Sequence, residues 1–152
     1  MADEGQRDQS DQNDQWQRIK SHLEQYREDP EAAHEWNPYG KVVPALLLTA
    51  YGRTSGKPRA RPLIYKKVGD KYVIVASMGG APTHPNWYLN LVANPDCEIQ
   101  VAKETIEVRA RTAEGDERAE LWTEMVEVLP QYAEYQTRTD RQIPVVVLEP
   151  RS

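Results

Sequence analysis

Between Gly52 and Pro62 the chain reads Gly-Arg-Thr-Ser-Gly-Lys-Pro-Arg-Ala-Arg-Pro, which sets Arg53, Lys57, Arg59 and Arg61 close together with no acid among them. An apolar run of strand type, Ala45-Leu46-Leu47-Leu48-Thr49, precedes it, and Leu63-Ile64-Tyr65 follows. A basic, glycine-punctuated turn between two strands can hold a phosphate or carboxylate through backbone N–H groups and cationic side chains. Its bland alternative is a solvated hairpin tip. A second candidate is Ser77-Met78-Gly79-Gly80-Ala81-Pro82, small residues at the end of a strand-like run, where a ligand can approach the backbone because glycine has no Cβ.

Charge favours the first of these as a ligand site. Residues 1–40 carry a net charge of −6, residues 41–71 a net +7 and residues 72–152 a net −6, within an overall −5. An acidic chain with one concentrated basic segment lacks the extended positive face that nucleic acid requires, so no nucleic-acid partner is expected. It suits one small, multiply anionic ligand better. The other chemistry is mostly excluded. His22, His34 and His84 are scattered with no metal-binding spacing, and no metal site is expected. His84 before Pro85 reads as a helix-entry residue. Cys97, the single cysteine, excludes an internal disulfide and reads as a small core residue. Nucleophile-elbow, P-loop and dinucleotide glycine motifs are absent, so side-chain nucleophiles are not expected to carry the chemistry, and a bound organic cofactor could supply it.

The positioning elements follow from periodicity and breakers. Residues 1–15 are polar and read as a disordered tail. Trp16, Ile19, Leu23 and Tyr26 recur at helical spacing, with Asp14 as N-cap and Asp29-Pro30 as the break. Residues 31–44 read as an irregular connector. Arg61–Val68 reads as one strand with Leu63, Tyr65 and Lys67 on one face, and Tyr72–Ala76 as a buried central strand. A short helix over 83–95 is expected to turn Trp87, Leu91 and Tyr88 inward. Cys97–Val101 and Thr105–Thr112 form a hairpin, 116–129 a helix with the stripe Ala119, Trp122, Met125, Val126 and Leu129, and 143–148 a last strand. Hairpin-linked strands without βαβ alternation predict an α+β fold, an antiparallel sheet or small barrel flanked by helices. The expected division is tail 1–15, helix and connector 16–40, and barrel 41–152.

Four stretches then carry a resemblance. Leu46 to Arg59, Val75 to Gly80, Asn86 to Leu91 with Ala93-Asn94-Pro95, and Tyr132 to Val147 resemble the deazaflavin-dependent nitroreductase family. The resemblance implies a split β-barrel of FMN-binding-like architecture that binds coenzyme F420. It further implies hydride transfer from the reduced cofactor to a quinone, nitroaromatic or similar electron-poor acceptor. By the same resemblance Thr49, Arg53, Thr54, Ser55, Gly56 and Arg59 contact the phosphate and tail, and Pro62 and Tyr65 flank the ring. Ser77, Met78 and Gly79 approach it through backbone groups, while Asn86, Trp87 and Asn90 form a wall. Ser77, Tyr132 and Tyr135 become the catalytic candidates, with Tyr65 closing the acceptor pocket.

The chain departs from the family where lysine is common, at Met78 and Thr54, and Leu129 stands where one branch carries tyrosine. Two alternatives remain at this stage: an FMN-dependent reductase of the same barrel type, and a non-catalytic F420 carrier. With no signal peptide and no long apolar run, a cytoplasmic location is expected. Peripheral contact of the first helix with the inner face of the cell membrane is the further possibility, although that helix is not rich in Lys and Arg. Oligomeric state is left open.

Overall fold

The computed structural model describes residues 17–37 and 40–151. A helix over 17–28 (α1) is followed by the short helix Pro30–His34 (α2) and a two-residue strand, Glu35–Trp36 (β1). Strands Val43–Tyr51 (β2), Pro58–Ile64 (β3), Lys66–Val68 (β4) and Lys71–Val75 (β5) come next. A 3₁₀ turn at Met78–Gly80 and helix Asn86–Ala93 (α3) lead into the hairpin Asp96–Val101 (β6) and Glu104–Thr112 (β7). Helices Gly115–Val128 (α4) and Gln131–Thr137 (α5) precede the strand Val145–Pro150 (β8). The sheet order is β1-β2-β6-β7-β8-β5-β4, with β3 joined to β2 off that path and every pairing antiparallel. This curled half-barrel with flanking helices is the expected split-barrel architecture.

Side-chain alternation divides the core in two. Tyr72 and Ile74 of β5, with Val146 and Leu148 of β8, point into the barrel alongside Leu46, Leu48 and Val108. Their neighbours Val73, Val75, Val145 and Val147 point the other way, under Leu121, Met125 and Leu129 of the α4 stretch and Tyr132 of α5. Both faces of these strands are buried, so their sequences run apolar without a break. The 72–76 stretch was expected to be buried for that reason.

Three expectations are corrected. The 31–44 connector contains α2 and β1, and β2 already begins at Val43. Asp29 both follows α1 and caps α2, its Oδ1 accepting from Ala32 N at 3.3 Å, with Pro30 at the first helical position. The strand read over 61–68 breaks at Tyr65, because β3 pairs with β2 whereas β4 pairs with β5. Tyr65 makes the step between them, its N–H donating to Pro44 O at 3.1 Å. On α4 the buried stripe runs through Leu121, Met125 and Leu129, and Ala119 is exposed.

The sheet edges are short or interrupted. Among the described strands β3 pairs only with β2 and carries Pro58 and Pro62, which lack an N–H. At the other end, β4 is three residues long with two lysines. The N-terminal helix packs through Tyr26, fully buried, whose hydroxyl donates to Ala45 O at 2.8 Å and accepts from Ala102 N at 3.0 Å. The expected polar tail, Trp16 and Asp14 lie outside the described residues. No helix among the described residues is long and apolar enough to cross a membrane.

Candidate functional site

The basic turn between β2 and β3 is a closed loop. Gly52 N donates to Lys57 O at 2.9 Å, and Gly56 N to Gly52 O at 2.8 Å. Ser55 Oγ accepts from Lys57 N at 3.2 Å. Gly56 has φ +70°, a left-handed conformation that a side chain disfavours. A Cβ on Gly52 would lie 2.7 Å from Ser55 Oγ, so a side chain there would displace that hydroxyl from its bond to Lys57 N.

Helix α3 holds this loop from beneath through asparagines one turn apart. Asn90 Oδ1 accepts from Arg53 N at 3.1 Å and from Arg53 Nη1 at 2.8 Å, and Asn86 Oδ1 accepts from Arg53 Nη2 at 3.5 Å. Asn94 Nδ2 donates to the carbonyls of Tyr51 and Gly52, each at 3.3 Å. These partners are neutral amides and carbonyls. They orient Arg53 without cancelling its charge, and Arg59 and Lys57 likewise meet no carboxylate among the described residues.

Beside the loop opens a cavity of about 660 Å³. It brings together Pro62, Ser77, Met78, Gly79, Trp87, Tyr132 and Tyr135 from the expected set, and α1 closes its other side with Gln17, Arg18, Ile19 and Ser21. Tyr132 and Tyr135 meet edge to face, 6.2 Å between ring centroids. Among the described residues no Asp or Glu lines it. Helix α3 and strand β3 each reach from the loop to this cavity. From Pro58 to Pro62 the strand spans about 13 Å, so loop and cavity form one elongated site.

The remaining expected residues fall outside the cavity. Thr49, in β2, pairs with Ala60 and Glu98 across the sheet, and Arg53, Thr54, Ser55, Gly56, Arg59, Asn86 and Asn90 belong to the loop and its support. Tyr65 is placed differently from the expectation that it would flank the ring and close the pocket. Its ring is buried against Tyr72, 5.8 Å between centroids, and its hydroxyl is 2.7 Å from His34 Nε2. Burial pushes its phenol up to about 12.

Arg141 and Gln136 escaped the sequence reading, although both lie in a stretch it quoted. Arg141 donates to Ala81 O (2.8 Å), Ser77 O (2.8 Å) and Ala76 O (3.2 Å), and its Nη1 lies 3.1 Å from His84 Nδ1. Gln136 fastens the segment carrying it, donating to Arg141 O at 2.8 Å and accepting from Ile143 N at 2.9 Å. The guanidinium thus fixes the turn that presents Ser77, Met78 and Gly79. His84, facing that guanidinium with Nδ1 as acceptor, is held below its ordinary pKa by burial and by Arg141. It is a neutral neighbour of the turn and does not line the cavity. Cys97 lies in the core with its thiol pushed up to about 12 by burial.

The turn itself is tightly set. Met78 has φ +47°, unusual for a residue with a Cβ, and its side chain is 45% exposed at the cavity. Gly80 has φ +82°, and a Cβ there would lie 2.5 Å from Tyr135 O. Arg61, counted in the basic stretch but not assigned to the site, lies on the cavity wall.

The sequence pattern of the F420H(2)-dependent quinone reductase family matches residues 16–150. Rv1261c of Mycobacterium tuberculosis, an F420H(2)-dependent quinone reductase, is 45% identical over 71% of this chain and 74% of that protein. Another Mycobacterium tuberculosis protein, Rv3178, is 42% identical over 74% of this chain and 95% of its own length. The solved F420-H2 dependent reductase FDR-A superposes with a TM-score of 0.65 at 46% identity, covering 69% of this chain and 93% of that one. A structure described as a domain-swapped dimer superposes with a TM-score of 0.68 at 38% identity, covering 90% of this chain and 99% of its own. By the match over residues 16–150 and the identity to these relatives, the chain, a split barrel with a basic loop and an aromatic cavity, belongs to the F420H(2)-dependent quinone reductase family.

Proposed function

We propose that the elongated site holds coenzyme F420 with its anionic tail on the β2–β3 loop and its ring in the cavity, where a quinone is reduced. The observation that carries this reading is the division of the site into an exposed cationic loop and a half-open aromatic cavity joined along β3. The residues fit such a group. Gly79 leaves open space where a Cβ would stand, and among the described residues the cavity has no carboxylate to repel an anion and the loop cations meet none. Arg53, Thr54, Ser55, Gly56 and Arg59 would hold phosphate and tail, with Thr49 at the strand they adjoin. Pro62, Ser77, Met78, Gly79 and Trp87 would receive the ring, and Asn86 and Asn90 act through Arg53.

When bound, the reduced deazaflavin supplies a hydride. The chain's own contribution is positioning. Arg141 sets the carbonyls of the 76–81 segment, and with them the turn that would receive the ring. Ser77, buried at the cavity, can donate its hydroxyl to an acceptor oxygen, and Tyr132 and Tyr135 carry the hydroxyls that can protonate it. Nitroaromatics of similar size and flatness are included in this reading. So is a barrel unit over 41–152, with 16–40 covering the cavity. A cytoplasmic location is proposed with it. Contact with lipid through α1 would be weak, given Arg18, Lys20 and Arg27 as the cations in its described span.

The test is a fluorescence titration of the purified chain with F420 and, separately, with FMN. Reduced F420 is then mixed with menadione and the return of oxidised-cofactor absorbance followed. Micromolar or tighter F420 binding with menadione-dependent oxidation is expected. Preference for FMN, or tight F420 binding without turnover on any quinone, would replace this reading with the flavin or the carrier alternative.

A further inference from the structure

Strand β3 places Arg59 and Arg61 on one face, two residues apart, opposite Ala50 and Leu48 of β2. Arg59 is exposed, whereas Arg61 is half-buried on the cavity wall. Other guanidiniums nearby have partners: Arg53 meets asparagine oxygens, Arg118 donates to Ile143 O, and Arg141 donates to three carbonyls. Arg61 makes no side-chain hydrogen bond or ion pair among the described residues. Burial lowers its pKa, the direction expected when a cation loses water without gaining an anion. A half-buried guanidinium with no anion beside it loses part of its hydration, and an anion entering the cavity offsets that cost. The other cation of the lining, Arg18, is exposed on α1, and Met78 contributes no charge.

The rest of the lining limits what the anion can be. Trp36, Trp87, Tyr132 and Tyr135 suit a flat aromatic body, and a planar guanidinium fork suits oxygen lying in the plane of that body. We propose that Arg61 is an oxyanion-binding residue of the acceptor pocket, recognising planar quinonoid ligands that carry, or acquire on reduction, negative charge on oxygen. This rests on the cavity being the acceptor site. A quinone that takes up a hydride gains two electrons and one proton, and the donor loses the same. One quinone oxygen is then an anion until a second proton arrives from water or a tyrosine hydroxyl. Arg61 stabilises that oxygen in the interval, and the same contact favours acceptors already ionised.

The experiment uses 2-hydroxy-1,4-naphthoquinone, ionised at neutral pH, against neutral 1,4-naphthoquinone. Both are titrated into the full chain, with and without oxidised F420, by quenching of the tryptophans at the cavity. Wild type is expected to bind the anion at least tenfold more tightly than the neutral quinone. Arg61→Gln should bring the two within twofold while leaving the neutral affinity unchanged, and Arg61→Lys should retain part of the preference. Binding of F420 itself should change less than threefold in Arg61→Gln. The proposal is overturned if wild type shows no anion preference in either state, or if Arg61→Gln keeps it. A tenfold loss of F420 affinity with the preference intact would move Arg61 to the cofactor's phosphate. Failure of wild type to bind F420 would sink the reductase reading separately, because the naphthoquinone comparison without cofactor does not depend on it.

Discussion

On one side of the cavity Arg141 ties three carbonyls of the 76–81 segment together, Gln136 fastens Arg141, and Gly80 lies against the backbone of α5. On the other side Gln17, Arg18 and Ser21 of α1 make no side-chain hydrogen bond or ion pair among the described residues. That helix is fastened further along, by His22 and Tyr26. The contrast separates two demands on one site. Hydride transfer requires its donor to be held to within a fraction of an ångström, and in the proposed reading the cross-linked wall would provide that. In the same reading an acceptor pocket would benefit from a wall whose hydrogen bonds, among the described residues, lie further along the helix.

The comparison can be broken at the cross-linked wall with the largest effect. Gly80→Ala would press a Cβ against Tyr135 O at a left-handed φ, and a loss of about 2–4 kcal/mol is expected from chemical denaturation. An unchanged unfolding midpoint would mean that the turn and α5 are not rigidly joined. Arg141→Met should follow, leaving buried carbonyls without donors at a cost of about 2–3 kcal/mol. Its turnover with reduced F420 and menadione should fall about a hundredfold, and Arg141→Lys should recover part of both. Equal losses in the Lys and Met variants would show that the planar fork does not matter.

The opposite wall should respond to acid. His22 Nε2 lies 2.9 Å from Ala33 O, while its buried Nδ1 has no partner among the described residues and its ring packs on Trp36 at 4.6 Å between centroids. Burial holds its pKa below 6.5, so the folded chain favours neutral imidazole and the unfolded chain protonates first. The stability this group contributes is therefore present above 6.5 and declines as pH falls through the interval below it. His22→Gln should flatten that acid limb in a pH series of thermal unfolding, and identical limbs would assign it elsewhere. The smallest effect is expected from Ile19→Ala: the acceptor KM rises about threefold while stability shifts by no more than about 1 kcal/mol. A larger loss of stability than of acceptor affinity would show α1 to be as integral as the opposite wall.

What could be read from the residues follows the same division. Leu46–Thr49, Tyr72–Ala76 and the helix after Pro85 announce themselves through apolar runs and breakers, which are local. The basic loop was legible because four cations in so short a span stand out against an acidic chain. Arg141 was not, since a charged residue in Thr-Asp-Arg-Gln reads as surface until distant carbonyls are brought around it. Tyr65 misled for a related reason: its place depends on β3 and β4 pairing with different strands, which the 61–68 pattern does not encode. Arg61 was visible as charge, but its isolation is a property of the cavity.

The prolines of β3 have a consequence for how the chain behaves in a crowd. A second chain can extend a sheet only where consecutive donors and acceptors are open along an edge. Pro58 and Pro62 share one orientation by the two-residue repeat and so delete two donors from the same side of β3. Arg59 and Arg61 add like-charge repulsion between copies, and three-residue β4 brings Lys66 and Lys67 to the far margin. Sheet-to-sheet growth into filaments is thereby discouraged at β3 and at β4, which leaves the basic β2–β3 loop exposed at high protein concentration.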